Sequence, residues 1–405
     1  MNRVAALLGA GLLLAGAAAA QPSAPGTSLL AALETAPVAA LARVGNVQAI
    51  DASGYAATLT VVRPLRGTAA DARLTVLWEE LARGRLPRLA DGQTIVVALD
   101  DAPAGSLWRQ RRRDRPEARA IAANGDALLP VPPARDVEWL ANYAALPTDA
   151  TAARRAAALV DLAAGASPPL AGAALDRLTV VPTLTAAMAD AGLLALLATA
   201  ADTQRPRALR IAIVALAGAA RRPASRPPLA QLARPGSDLE ADALGALAAV
   251  DGGLPPARAE ALLDRPEPAL RAIGARFASG NAVERRLPAL VRGDPDPSVR
   301  AAAATALAAT HTEWGVAGCL PALSAPTPSV RATAAGALGA IGAPVVPTLE
   351  DVARARPDQA RGAMTALALA GPTGEQALRR LSVELPDPHL RDFARLALGQ
   401  GPHAH

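Results

Sequence analysis

The residue types that most often carry out enzyme chemistry are sparse in this chain. Of its 405 residues, four are His, one is Cys and eight are aromatic (four Trp, two Tyr and two Phe). His311 and Glu313 stand two residues apart and could share a metal ion, but the sequence offers no third ligand beside them. Cys319 lies in an apolar stretch, as a small core residue does. No Ser-His-Asp or Cys-His arrangement and no glycine-rich phosphate loop can be assigned, so we expect no catalytic site, no metal, no cofactor and no enzymatic activity.

Arginine is the residue with the greatest capacity for binding. All 41 basic residues are Arg, and the formal net charge is +5, which is small for this length. A protein that binds nucleic acid clusters its basic residues and stacks bases on aromatic rings, so we expect no nucleic-acid partner. One basic cluster contains Arg111, Arg112 and Arg113. It is either a solvated loop or a patch for anionic partners.

Residues 1–20 have the three parts of a signal peptide. A short start containing Arg3 precedes an apolar run from Val4 to Gly16, and three alanines precede Gln21 as a small-residue cleavage site. The apolar run is too short to span a bilayer. We therefore expect an exported protein, periplasmic or extracellular, with a linker at 21–34 and no transmembrane segment in the mature chain.

Residues 35–132 have the pattern of a small β domain. The second strand is expected to end at Pro64 and Gly67, and the residues at 124–126 predict a hairpin turn. Five or six short strands in about a hundred residues predict a compact barrel or sandwich. The predicted strands are 38–47, 57–63, 74–78, 94–99 and 128–131.

The order of these strands and the segments 43–47, 62–67 and 89–93 resemble the netrin-like domains. These are OB-type barrels found in exported proteins and in the tissue metalloproteinase inhibitors. The resemblance implies the fold but not inhibitor chemistry, because the usual disulfides and the free N-terminal Cys are absent. One alternative function is a ligand-binding or inhibitor-like module in this barrel, presented by the rest of the chain. An open apolar cleft would favour that alternative, and a filled core would count against it.

A repeated motif occupies residues 196–400. A Pro stands two or three residues before an apolar-Arg pair, as in 206–210, 268–271, 297–300, 328–331 and 388–391. The second position of the pair falls at 210, 240, 271, 300, 331, 361 and 391, so the intervals are 30, 31, 29, 31, 30 and 30. A fixed period over several copies indicates a repeat architecture.

Each copy predicts a helical hairpin. After Val330, apolar residues follow at Ala334, Ala337 and Leu338, which gives one apolar stripe on an α-helix. Pro suits the first helical turn, and Asp296 or Thr327 just before it can cap the helix. A second, shorter helix fits each gap, at 287–291, 319–323 and 345–349.

The segment 294–303 resembles the core motif of short HEAT repeats of the phycobilisome-lyase type. The resemblance implies a right-handed α-solenoid of helical hairpins, with earlier, degenerate copies at 135–195 and a tail at 401–405. It also implies that the recurring Arg pairs with acids and carbonyls between neighbouring repeats. The predicted fold class is therefore α+β multidomain, a small N-terminal β-barrel followed by the α-solenoid.

The predicted function is a non-catalytic scaffold or adaptor that binds protein partners in the cell envelope. Solenoids present an extended surface formed by one helix of each repeat. Arg285, Arg286 and Arg292 flank one such helix and are the candidate contacts. A less favoured alternative, a bilin lyase-like enzyme, is implied by the repeat resemblance alone, and the few aromatic residues and the signal peptide count against it.

Overall fold

The computed structural model describes residues 27–51, 53–79, 89–101, 103, 105–123, 127–130, 133–279, 281–310 and 312–399. The predicted signal peptide, the hairpin turn at 124–126 and the tail at 401–405 lie outside these residues. The chain forms two compact units. Among the described residues, one unit runs from Thr27 to Val250, and the other runs from Asp251 to Gly399.

The first unit begins with a small closed β-barrel, as the sequence predicted. Strand β1 pairs with β2 on one side and with β4 on the other, both antiparallel. Strand β3 pairs with β2 and, in parallel, with β5. Strand β5 also pairs with β4, and this pairing closes the five-stranded barrel. A sixth strand, β6, pairs with β4. The strands are β1 (Val38–Ala49), β2 (Gly54–Arg66), β3 (Arg73–Glu79), β4 (Thr94–Asp101), β5 (Arg119–Ile121) and β6 (Leu128–Pro130).

The interior of the barrel is filled by large apolar side chains. Leu59, Trp78, Ile95 and Leu99 are at most 1% exposed. Inward-facing residues alternate with outward-facing ones on a strand, so four strands with β-branched and leucine residues suffice to fill a small barrel. The filled core counts against an open apolar cleft within the described part of the barrel.

Two details of the barrel differ from the sequence prediction. Strand β2 continues through Pro64 to Arg66, because a shift in register beside Pro64 forms a bulge where a missing N–H costs little. Strand β5 and the helix α2 (Ser106–Arg112) were not predicted. Strand β5 has three residues, which is too short to show a period.

The remaining helices of the first unit surround an apolar core. Helix α1 lies where the sequence predicted a linker, and it packs against α5, β4 and β6 through the buried Leu29, Leu30 and Leu33. Burial of these three side chains explains why the segment is folded. The helices are α1 (Thr27–Leu33), α3 (Ala134–Ala144), α4 (Ala152–Gly165), α5 (Pro168–Val180), α6 (Pro182–Ala187), α7 (Asp190–Ala201), α8 (Arg207–Ala220), α9 (Arg226–Leu232) and α10 (Glu240–Asp251).

The second unit is a stack of helical hairpins. The first helices of the repeats, α12, α15, α17, α19 and α21, pack on one another in chain order. Their second helices form a neighbouring row in which α14 packs on α16 and α18 packs on α20. The helices are α11 (Pro256–Leu263), α12 (Pro268–Arg276), α13 (Asn281–Glu284), α14 (Leu287–Gly293), α15 (Pro297–Thr310), α16 (Thr312–Cys319), α17 (Pro328–Ile341), α18 (Val346–Ala355), α19 (Pro357–Leu369), α20 (Pro372–Glu384) and α21 (Pro388–Ala397).

Small residues allow these helices to stack closely. At Gly339 of α17, an added Cβ would lie 2.5 Å from Leu369 Cβ and 2.9 Å from the Ala366 carbonyl oxygen. Glycine is therefore required at this contact between α17 and α19. The close approach also explains why an Ala-rich sequence can form a continuous core.

The helix starts agree with the sequence in most positions. Helices α12, α15, α17 and α21 begin at the repeated Pro, and Asp296 caps α15 by accepting a hydrogen bond from Ser298 N at 2.8 Å. The predicted cap at Thr327 is wrong, because that side chain makes no capping hydrogen bond.

The second helices are confirmed in two of three positions. Residues 287–291 lie in α14, and α18 covers most of 345–349. The prediction for 319–323 is wrong, since residues Leu320–Ser324 form a 3-10 turn after α16. In this copy the α-helix begins at Thr312, so Pro321 falls beyond its first turn and cannot continue it.

Among the described residues, no single helix is long and apolar enough to cross a membrane. One pair of consecutive helical segments is long and apolar enough only when the two are taken together, and the pair is bent by 109°. The two segments are Pro328–Ile341 and Ala343–Ala355.

Candidate functional site

The recurring Arg of the repeats is a structural residue. Its Nη1 donates hydrogen bonds to the carbonyl oxygens five and six residues earlier, at distances of 2.6 to 3.1 Å. These carbonyls belong to the turn before the helix, where backbone groups have no helical partner. The same geometry occurs at Arg271, Arg300, Arg331 and Arg391. This confirms the pairing with carbonyls that the HEAT resemblance implied.

Several of these arginines also reach the turn that begins the next repeat. Arg271 forms two hydrogen bonds to Asp294, at 2.9 and 3.1 Å, and Arg300 lies 3.5 Å from Thr327 Oγ1. In the first unit, the buried Arg210 holds Asp238 at 2.6 and 3.0 Å, and this ion pair lowers the pKa of Asp238. The recurring arginines therefore connect adjacent repeats.

The candidate arginines at α14 differ in their exposure and in their ion pairing. Arg285 is exposed. Arg286 forms an ion pair with Asp264 at 2.5 Å, and this pair holds the pKa of Asp264 below its usual range. The side chain of Arg292 lies outside the described part of the structure. Arg285 thus keeps an exposed guanidinium at the start of α14, while the charge of Arg286 is partly neutralised.

A network of ion pairs crosses the second helices α18 and α20. Arg380 Nη2 lies 2.9 Å from Glu350, and Arg354 Nη2 lies 3.0 Å from Glu384. Arg354 is also 3.7 Å from Glu350 on its own helix. Both contacts between the helices join residues 30 apart, which is the repeat period. These two second helices therefore present a surface of mixed charge, with the 75% exposed Val383 on α20.

Both sequence interpretations of the basic cluster are wrong for Arg111. Its segment is helix α2 rather than a loop, and its side chain is buried. Arg111 donates to Asp51 from Nε at 2.6 Å and from Nη2 at 2.9 Å, and it also bonds Glu79. Its guanidinium lies 5.3 Å from the centre of the Trp108 ring. The Arg111 hydrogen bonds hold the pKa of Asp51 well below its usual range.

The other two members of the cluster lie nearer the surface. Arg112 is half-buried and donates to the Pro116 carbonyl. Arg113 is exposed at the end of α2. The structure therefore does not present the three arginines as one patch.

A polar cluster that the sequence did not predict lies around Glu34, at the end of α1. Glu34 Oε1 accepts hydrogen bonds from Tyr143 Oη at 2.8 Å and Arg177 Nε at 3.0 Å. Its Oε2 accepts from Arg155 Nη1 at 3.1 Å and Arg177 Nη2 at 3.0 Å. The side chain of Glu34 is only 9% exposed. Burial and the neighbouring carboxylate raise the pKa of Tyr143 above its ordinary value.

The sequence contains one signal that could have located this cluster. Glu34 is the only charged residue between Arg3 and Arg43. A single carboxylate in an apolar stretch must be paired when the stretch is buried. Its partners come from α3, α4 and α5, more than a hundred residues later.

A small recess, with room for about one water molecule, lies beside the Glu34 cluster. Arg66 forms part of its wall and donates to the carbonyl oxygens of Ala144 and Leu146. The Nη1 atom of Arg66 is buried and has no hydrogen-bond partner among the residues that the structure describes. The lining residues are Leu33, Glu34, Arg66, Tyr143, Leu146, Pro147 and Arg155.

The remaining sequence candidates do not form a described site. Cys319 is buried, its Sγ lies 3.4 Å from the Ala304 carbonyl, and burial raises the pKa of its thiol to about 12. It is a core residue, as predicted. His311 lies outside the described residues, as does the side chain of Glu313. Within the described part of the chain, no group of three or more His, Cys, Asp or Glu residues could hold a metal ion.

Comparison with known proteins supports the repeat class. A family model described as HEAT repeats matches residues 283–370, which run from α13 to the end of α19. This segment contains two of the recurring arginines, Arg300 and Arg331. No curated protein matches the chain. The chain is thus a helical-repeat protein with an N-terminal β-barrel, and HEAT repeats suggest a protein-interaction scaffold.

Proposed function

We propose that this protein is an exported, non-catalytic scaffold or adaptor that binds protein partners in the cell envelope. The observation that carries the proposal is the stack of helical hairpins on a 30-residue period, part of which matches HEAT repeats. Such a stack builds an extended surface from equivalent positions of successive repeats. We propose no catalytic role.

The second helices of the repeats are the proposed binding surface. Helices α18 and α20 satisfy their charges among themselves through Glu350, Arg354, Arg380 and Glu384. A surface of paired charges around an exposed apolar residue such as Val383 suits a protein partner, because apolar contact supplies affinity and charge supplies orientation. Arg285 places an unburied cation at the start of another second helix.

Two finer assignments belong to the same proposal. The barrel is of the netrin-like, OB type, which is supported by the strand order β1-β2-β3-β5-β4 and the parallel pairing of β3 with β5. The array is a right-handed solenoid of short HEAT repeats of the lyase type, which is supported by the motif at 294–303. The barrel acts as a structural module rather than as a ligand-binding module, since its interior is filled with apolar side chains.

Site-specific photo-crosslinking in the native host tests the binding surface. A crosslinking amino acid is placed at Arg285, Asp351 or Gln376, all exposed at second helices, and at the exposed Thr305 or Ala332 of first helices as matched controls. We expect discrete crosslinked products from the second-helix positions and none from the controls. Equal crosslinking from both rows, or no product from the second helices, would contradict the proposed surface.

Cell fractionation tests export independently of binding. The mature protein is expected in the envelope fraction, with an N-terminus near Gln21 by sequencing. A full-length chain starting at Met1 in the cytoplasm would contradict export while leaving the crosslinking result interpretable.

A further inference from the structure

The last first helix of the stack, α21, carries a charge at a position that is buried in the other first helices of the second unit. In α12, α15, α17 and α19, the seventh residue after the starting Pro is at most 1% exposed. In α21 the residue at this position is Arg395, and its side chain is 51% exposed. The four buried residues are Ala275, Ala304, Ala335 and Met364.

Two glycines show which flank of the helix this position belongs to. Gly339 stands four residues after Ala335, and an added Cβ there would lie 2.5 Å from Leu369 of the next first helix, α19. Residues four apart lie on one face of a helix, so Ala335 also faces α19. Gly399 stands four residues after Arg395, and no atom of the described residues lies within 4 Å of a Cβ added there. The flank that contacts the next helix elsewhere is therefore uncovered at α21.

The uncovered flank of α21 combines an ion pair with exposed apolar side chains. Arg395 Nη1 lies 2.9 Å from Asp392, and both side chains are more than half exposed. Leu396 is exposed, and Leu398 is half-buried, whereas the equivalent Leu338 of α17 is fully buried. Covering this flank would remove water from two charges, and desolvation of an ion pair costs more than an exposed pair gains.

We propose that Asp392 and Arg395 prevent the end of the stack from associating with a second copy of this chain. Solenoids need a polar outer face at a terminal repeat to stay soluble. A second copy is the occupant excluded here, because two identical flanks related by a two-fold axis would cover each other's leucines. Each ion pair is complete within its own copy, so exchanging partners across the contact would add no bond while both pairs lost water. The proposal rests on the helical stack alone and not on the protein partners proposed above.

Analytical ultracentrifugation of the full chain tests this role. Asp392→Ala combined with Arg395→Ala removes the pair without changing the net charge. A single helix flank is smaller than the roughly 800 Å² per partner of a stable interface, so we expect weak association, with a Kd on the order of 1 mM or tighter. At a chain concentration of about 0.5 mM, the weight-average mass should then exceed that of the wild type by about a third or more.

A matched control separates the position of the pair from the loss of charge. Glu375→Ala combined with Arg379→Ala removes another exposed ion pair, which lies on the second helix α20. This control should sediment as the wild type does. All four side chains are more than half exposed, so the variants should fold, and circular dichroism checks their helical content.

A third substitution locates the contact. Leu396→Glu, added to the α21 double variant, returns charge to the uncovered flank and is expected to restore the wild-type mass. Three results would overturn the proposal: no rise in mass for the α21 double variant, an equal rise in the α20 control, or a rise that Leu396→Glu leaves unchanged.

Discussion

The arginines of the repeats and those around the barrel satisfy their hydrogen bonds over very different distances in sequence. Arg271, Arg300, Arg331 and Arg391 bond carbonyls five and six residues earlier. In the first unit, Arg111 pairs with Asp51 across 60 residues and Arg177 pairs with Glu34 across 143. The first kind of contact recurs because it is local, whereas the second kind depends on how the whole unit folds.

This difference also separates the energetic roles of the two sets. Arg300, Arg331 and Arg391 are bound by neutral carbonyls, and the loss of one such repeat contact leaves the others intact. Glu34 and Arg111 are buried ions, and each leaves opposite charges unpaired when it is removed. We therefore expect substitutions at the long-range contacts to destabilise the protein more.

The largest effect is expected at Glu34. Glu34→Gln keeps the size of the side chain but leaves Arg155 and Arg177 without their counter-charge, so the free energy of unfolding should fall by about 4 kcal/mol. Urea denaturation followed by circular dichroism measures the change. Glu138→Gln is the control, because that glutamate is 62% exposed and its loss should change stability far less. A similar loss in both variants would contradict the importance of burial.

The second largest loss of stability is expected at Arg111. Arg111→Met preserves much of the side-chain volume but leaves Asp51 and Glu79 unpaired, and the loss should be about 3 kcal/mol. Arg113 is exposed at the end of the same helix, so Arg113→Met should change stability by less than about 0.5 kcal/mol. Equal effects would mean that Arg111 contributes no more than a surface charge.

A repeat arginine should contribute less. Arg331→Ala removes two hydrogen bonds from a charged donor to the Ala325 and Pro326 carbonyls, at an expected cost of about 2 kcal/mol. Arg379→Ala, on the exposed face of α20 with an i,i+4 partner, should cost no more than about 0.5 kcal/mol. Thermal unfolding of both variants makes the comparison, and a larger loss for Arg379→Ala would reverse the assigned roles.

The Asp51 pair should respond to acid. The folded pKa of Asp51 is lowered, mainly by hydrogen bonds from Arg111, so its stabilisation is complete above the ordinary Asp pKa near 4 and is lost as pH falls. We expect the stability of the wild type minus that of Asp51→Asn to shrink by roughly 1 kcal/mol below about pH 5, after allowance for solvent screening. A difference that stays constant with pH in urea titrations would contradict this linkage.

The smallest effect is a gain in stability. Arg221 ends α8 with φ of 51°, a left-handed conformation that favours glycine. Arg221→Gly should raise the free energy of unfolding by about 0.5 kcal/mol. Arg234 is exposed in the turn after α9 and lacks a positive φ, so Arg234→Gly should not stabilise. A gain at both positions would point to the loss of charge rather than to backbone strain.

Most of the barrel strands could be predicted from the sequence, whereas strand β5 and helix α2 could not. Strands β1 to β4 each span seven residues or more and are rich in apolar and β-branched side chains, which gives a detectable pattern. Strand β5 has three residues, and helix α2 contains four charged or amide side chains in seven positions, so neither carries a strong period. The assignment of 21–34 as a linker failed because a seven-residue apolar helix is recognised only by what it packs against.

The sequence by itself determined the repeat period and the helix starts at Pro, and its resemblance to HEAT repeats implied that the recurring Arg bonds nearby carbonyls. These follow from contacts within one helical turn or one repeat, so their signals recur along the chain. Only the tertiary structure decided that Arg111 is buried, that Glu34 gathers Tyr143, Arg155 and Arg177, and that Arg66 bonds the carbonyls of Ala144 and Leu146. Those contacts join residues 60 to 143 apart, and no local pattern records which distant charges will be brought together when the apolar surfaces pack.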